Sequence, residues 1–159
     1  MIKRILVLIA SLTMFACSAP FQMFGTKGPK ECDDTGICKV NIINLRCSIF
    51  GNCTADVEQD PLIFKRTKHD IKIRWELPRG YAFCAAGTGD GVFLKSGDEH
   101  DQFKDPGLEG GDGHDVCKFR EYKWTAKNTV INLKYPYKIQ FHDAAGKTSY
   151  LVDPVMINE

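Results

Sequence analysis

Residues 110–115 read Gly-Gly-Asp-Gly-His-Asp, the spacing G-G-x-G-x-D in which glycines permit left-handed turns and an aspartate binds calcium. Calcium takes about six to eight oxygen ligands. Asp98, Glu99, Asp101, Asp112 and Asp115 would supply several if the segment folds back on itself. The motif binds its ion by stacking one repeat on another, and residues 87–91, Gly-Thr-Gly-Asp-Gly, are not a second copy. The competing reading is a solvated loop whose glycines turn the chain and whose carboxylates face water. No cofactor is expected on that reading, and calcium is the ion to test.

Each of the four histidines, at 69, 100, 114 and 142, is followed by Asp. Neighbours on a strand point to opposite faces, so the dipeptide is not a catalytic dyad. His69 and Asp70 open a strand, and His142 and Asp143 open a turn. His100 and His114 share the acidic segment and are the histidines placed to meet a transition metal with Asp101 or Asp115. No G-x-S-x-G occurs, and Ser96, four residues before His100, lies in an expected loop where that spacing fixes no geometry. The expectation is a protein without catalytic residues.

Seven cysteines bear on the compartment. The chain opens with Lys3 and Arg4, an apolar run from Ile5 to Ala16, and small residues around Cys17. That is the plan of a secretory signal, too short to stay as a membrane span. Residues 14–17, Met-Phe-Ala-Cys, resemble the lipobox of bacterial lipoproteins. The resemblance implies that Cys17 is lipidated and becomes the mature N-terminus. Cys32, Cys38, Cys47, Cys53, Cys84 and Cys117 remain, an even set that reads as three disulfides in an oxidising compartment. The strand expected between Cys38 and Cys47 would hold them roughly 30 Å apart, whereas bridged Cα atoms lie within about 7 Å. The favoured pairs are therefore Cys32 with Cys38, Cys47 with Cys53, and Cys84 with Cys117. A four-cysteine zinc site is the rival, but no C-x2-C pair occurs. The loop between Cys47 and Cys53 carries Ile49 and Phe50 at its tip, an apolar point that would suit a partner's cleft or tuck under the domain.

These residues need elements to hold them. In residues 70–77, Ile71, Ile73, Trp75 and Leu77 alternate with Asp70, Lys72, Arg74 and Glu76. In residues 131–141, Ile131, Leu133, Tyr135, Tyr137, Ile139 and Phe141 do the same. Period two places each apolar set on one face of a strand, where a helix would smear it around the axis. Pro136 lacks an N–H, which puts that strand at an edge or bends it. Weaker strands are expected at 39–45, 61–65, 81–84, 91–95, 119–124 and 148–157, with a hairpin turn at 142–147. Seven or eight short antiparallel strands in one domain read as a β-sandwich. Between Gly87 and Asp115, eight acidic residues face only Lys95 and Lys104. This Gly/Asp-rich segment is expected to be a long acidic loop, or a strand with two loops, pinned at its base by Cys84 and Cys117.

The order of these strands, with Trp75 early, Tyr135 and Tyr137 late and Asp153-Pro154 in the last, resembles small exported bacterial lipoproteins with an immunoglobulin-like sandwich. The resemblance implies a fold, and a fold does not carry a function. The expected organisation is a signal peptide at 1–16, a lipid-anchored tether at 17–31 and a sandwich at 32–159. Ser18 after the lipidated cysteine implies the outer membrane. Without Lys3 and Arg4 the 21 basic residues fall to 19 against 20 acidic ones, which gives nucleic acid no electrostatic footprint. The expected role is a non-enzymatic binding or structural module of the cell envelope, with an envelope protein as partner. An inhibitor of a secreted hydrolase and a calcium-binding domain are the alternatives.

Overall fold

The computed structural model describes residues 25–48, 52–66, 69–85, 89–110 and 117–159. Cys17, the signal, Ile49, Phe50, Asp112, His114 and Asp115 lie outside that set. The described residues form strands and turns, and none of their segments is a helix long and apolar enough to cross a membrane.

The longest hairpin organises the rest. β11 (Leu133–Asp143) turns at residues 144–148 into β12 (Ser149–Val152) and β13 (Val155–Asn158). These two make one arm, pairing antiparallel with β11 from His142↔Ser149 to Leu133↔Asn158. Asp153 and Pro154 interrupt it, since a proline has no N–H for a ladder. A second arm, β3 (Cys53–Val57) and β4 (Gln59–Phe64), lies parallel to the first, with Cys53 opposite Tyr150 and Phe64 opposite Asn158. β1 (Gly28–Cys32) adds to β4 in parallel.

β2 (Ile37–Cys47) joins the two halves of the molecule. Its second half pairs with β3, and its first half pairs in parallel with β5 (Ile71–Glu76). At the change of partner the register slips between Ile43 and Arg46, and Asn44 sits at a φ of 51°. Its amide holds the kink by donating to Asp56 at 3.1 Å and to the Gly25 carbonyl at 3.1 Å. Beyond β5 lie β10 (Glu121–Ala126) and then β8 (Phe103–Glu109), both antiparallel to their neighbours.

The strand path folds back so that its halves face each other. Trp75 of β5 meets Tyr137 of β11 at a ring separation of 5.8 Å and donates its indole N–H to the tyrosine oxygen at 3.3 Å. Trp124 packs edge-on to Trp75 at 5.4 Å, and Phe103 reaches Tyr135 at 5.1 Å. The alternation read from the sequence is the cause: Ile71, Ile73, Trp75, Tyr135, Tyr137, Ile139 and Phe141 are all buried. At about 25 cal/mol per Å² of apolar surface removed from water, and 150–250 Å² for a large aromatic ring, this layer dominates the fold's stability.

The expected antiparallel sandwich of seven or eight strands is corrected on two counts. Thirteen strands are present among the described residues, and the sheet is mixed. All eight expected strands occur, but residues 117–126 divide into β9 (Cys117–Phe119) and β10, and residues 149–158 divide at Pro154. β1, β3 and β8 are additional. β1 draws residues 28–31, assigned to the tether, into the domain. β7 (Gly91–Leu94) and β8 make the acidic region partly strand. The parallel pairs arise because β1, β2 and β3 each pair with a strand that crossovers bring alongside, not with a hairpin neighbour alone.

Pro136 is not at an edge of the sheet, one of its two expected places. It lies inside the sheet, opposite Val155 of β13. Its carbonyl accepts from the Lys95 N–H at 2.9 Å, so its nitrogen faces the β7 side, where it has no hydrogen to give. The ladder between β11 and β7 ends there, at Tyr137↔Leu94.

Candidate functional site

Three disulfides join Cys32 to Cys38, Cys47 to Cys53 and Cys84 to Cys117. The third lies in a polar setting. β6 (Tyr81–Cys84) pairs with β11 at Ala82↔His142 and with β9 at Cys84↔Cys117. β7 then pairs with the same strand β11. The connection between β6 and β7 must therefore leave β11 and return to it, which brings Asp90 back beside Cys84. The Cys84 N–H donates to Asp90 Oδ2 at 2.8 Å and closes the excursion.

Gly91 makes the return fit. Its φ of +140° is closed to most side chains, and a Cβ there would stand 2.9 Å from Tyr122 Cε2. The hairpin turn closes the site from the other side, with Gly146 at φ +67° and the position of its missing Cβ 3.1 Å from Cys117 Sγ.

His142 completes the cluster. It lies on the face of β11 opposite Tyr137 and Phe141, and its Nδ1 is 2.9 Å from Asp90 Oδ2 and 3.6 Å from Cys84 Sγ. The Asp90 side chain has no exposure to solvent and that of His142 has 17%. A carboxylate accepts, so Nδ1 carries the hydrogen that it donates to Asp90. A cysteine–histidine–aspartate relay needs the sulfur and the carboxylate on different ring nitrogens. Here both face Nδ1, and the sulfur is in a bridge. The cluster is therefore not a nucleophile in the oxidised protein.

Among the described residues, Cys84, Asp90 and His142 are the group of His, Cys, Asp and Glu side chains whose ligand atoms all lie within 4.8 Å of one another. The sequence pointed to other residues. Asp98 accepts from the backbone N–H groups of Gln102 and Phe103, at 2.7 and 2.6 Å, and caps a turn. Asp101 pairs with Lys127. Glu109 takes Arg74 at 3.2 Å and Lys123 at 2.6 Å, the Lys123 hydrogen bond being the chief reason its carboxyl lies below the ordinary value. The acidic segment thus disperses these carboxylates onto separate partners. Asp112 and Asp115, the other proposed calcium ligands, lie outside the described residues, as does His114. His142, read as opening a turn, is instead the last but one residue of β11.

Sequence reasoning missed the pairing of His142 with Asp90, which are 52 residues apart. The one signal was negative: His142 falls on the polar side of the alternation, and something had to cover it.

A second feature is an apolar groove of about 360 Å³ between β7 and the pair β8–β10. Phe93, Leu94, Phe103, Tyr122 and Trp124 line it, with Asp98 and Lys104 among the polar residues. Lys138 covers Phe93 from outside, its ammonium 5.3 Å from the ring centre. Among the described residues β8 pairs on one side only, with β10.

No family model matches the chain, and no curated protein or solved structure matches it either. The arrangement of its own residues carries the functional reading.

Proposed function

We propose that this chain is a non-enzymatic binding module of the bacterial cell envelope. It is held at the outer membrane by lipid on Cys17 and contacts a partner protein through the groove between β7 and β8–β10. The groove carries the reading. Its volume of about 360 Å³ is at the lower end of the range for small-molecule sites, about 300–1,000 Å³. Half-buried aromatic rings such as Phe103 and Tyr122 are the residues from which interface hot spots are built.

The partner's mode of entry follows from β8. Pro106 offers no N–H, and Asp105 has a φ of 55°, so the free edge of β8 is a poor template for an added strand. The partner enters with apolar side chains and not as an extra strand. Three disulfides, which suit an oxidising envelope, tie β1 to β2, β2 to β3 and β6 to β9.

A photocrosslinking residue placed at Phe93 or Lys104, and at the exposed Leu151 as a control, tests this in intact envelopes. One adduct of fixed mass is expected from the groove positions and not from Leu151, and it should vanish when Leu94→Asp puts a charge in the groove. Absence of the adduct, or its persistence in L94D, overturns the proposal.

A further inference from the structure

The Cys84–Cys117 disulfide lies against a ready-made pair of metal ligands. Cys84 Sγ is 3.6 Å from His142 Nδ1, and that nitrogen is 2.9 Å from Asp90 Oδ2. In a tetrahedral zinc site, bond lengths of about 2.0 Å to nitrogen or oxygen and about 2.3 Å to sulfur put ligand atoms roughly 3.3–3.6 Å apart. The Sγ to Nδ1 separation already matches, the Nδ1 to Oδ2 contact must open by about half an ångström, and all three atoms lie within 4.8 Å of one another. Their rigidity comes from the backbone. The Cys84 N–H holds Asp90, β6 pairs with β11 beside His142, and the turn at Gly146 abuts Cys117. What the oxidised protein lacks is a thiolate, because a bridged sulfur is a poor donor.

We infer that reduction of the Cys84–Cys117 disulfide creates a Zn²⁺ site on Cys84, Asp90 and His142. A dithiol reductant supplies two electrons: the S–S bond breaks, Cys84 and Cys117 become thiols, and the dithiol leaves as its own disulfide. Zinc then displaces the Cys84 thiol proton to solvent and takes the Nδ1 position of His142, whose hydrogen moves through solvent to Nε2. The fourth position belongs to water or to the Cys117 thiolate. A sulfur, a nitrogen and a single carboxylate select zinc and its neighbours over calcium, which wants a shell of oxygens.

Cys117→Ser frees Cys84 without touching the other two bridges. Full-length C117S should bind one equivalent of Co²⁺, used as the spectroscopic substitute for zinc, with a thiolate-to-cobalt charge-transfer band. The oxidised parent should show none. The C84S/C117S double variant should lack the band, and H142A in the C117S background should weaken binding by at least about tenfold, the minimum for removing a ligand when supporting residues alone cost that much. A natively folded C117S without the band overturns the inference. So does a band of equal strength in C84S/C117S, which would report Cys17 or an adventitious site. If C117S is unfolded without metal, Zn²⁺ should restore its β-sheet circular dichroism, because binding energy is then folding energy. Failure of zinc to do so, or equal recovery in C84S/C117S, overturns it as well.

Discussion

The two faces of β11 were built for different purposes. Tyr135, Tyr137, Ile139 and Phe141 point to one side and are 0–5% exposed, closing an aromatic layer against Trp75, Trp124 and Phe103. On the other side Gln140 and His142 meet the chain returning from β6 to β7, a thin cover with a carboxylate and a disulfide in it. A strand of period two lets one segment hold the fold together with its odd residues and hold chemistry in place with its even ones. Changes on the first face should unfold the protein, and changes on the second should leave it folded and alter only what it binds.

Trp75→Ala gives that contrast its hardest test. The side chain is fully buried, and removing such a ring should cost about 3–5 kcal/mol. His142→Ala in the oxidised protein should cost less, about 1–3 kcal/mol, because it takes one donor from the buried Asp90 carboxylate. Urea denaturation of both variants checks the ratio, and comparable losses would abolish the distinction. The disulfides come next. Loop-closure entropy gives about 3.7 kcal/mol for the bridge spanning 33 residues and about 2.2 kcal/mol for one spanning six. C84S/C117S should therefore melt below C32S/C38S. Tyr137→Phe removes only the oxygen that accepts the Trp75 N–H, and leaving that buried donor unpaired should cost about 1–2 kcal/mol.

Two pH effects are smaller. Tyr150 is pushed up to about 12, first by burial and then by its contact with Tyr81. A raised tyrosine favours the neutral form in the folded state. Its stabilisation is complete below the unfolded value near pH 10 and is lost as pH climbs towards 12. Tyr150→Phe should flatten that alkaline loss in a melt series. Glu58 is held below its ordinary value by hydrogen bonds from the Asn41 and then the Gln59 side chains. Its contribution is present above the unfolded value near 4.5 and fades as pH falls through the lower folded value. Glu58→Gln should remove a slight part of the acid loss, because a half-buried carboxylate remains partly screened by solvent.

Much of the molecule could be read from local pattern. Ile71 to Leu77 and Leu133 to Phe141 declared their strands through alternation, and the strand from Ile37 to Cys47 is what keeps Cys38 from Cys47. The parallel pairings could not be read, because nothing in Gly28–Cys32, with its proline and two charged residues, says that it will lie along β4. β8 was obscured by Pro106 and Gly107, which look like turn residues until β10 supplies their partner strand. The Asp90–His142 pair was out of reach for a related reason: its two members share no local period and meet only because β6 and β7 both pair with β11. In the acidic segment, Asp98 and Asp101 are occupied by backbone amides and a lysine, partners that composition alone does not reveal.

The placing of the last strand has a consequence for how the chain comes to be folded. β13 is inserted between β11 and β4, and β4 in turn carries β1. A chain that emerges N-terminus first therefore holds its earliest strand against an incomplete edge until residues 155–158 arrive. Contacts of such long sequence separation form slowly. Until residues 155–158 pair, no ladder connects β4, and the β1 strand it carries, to β11.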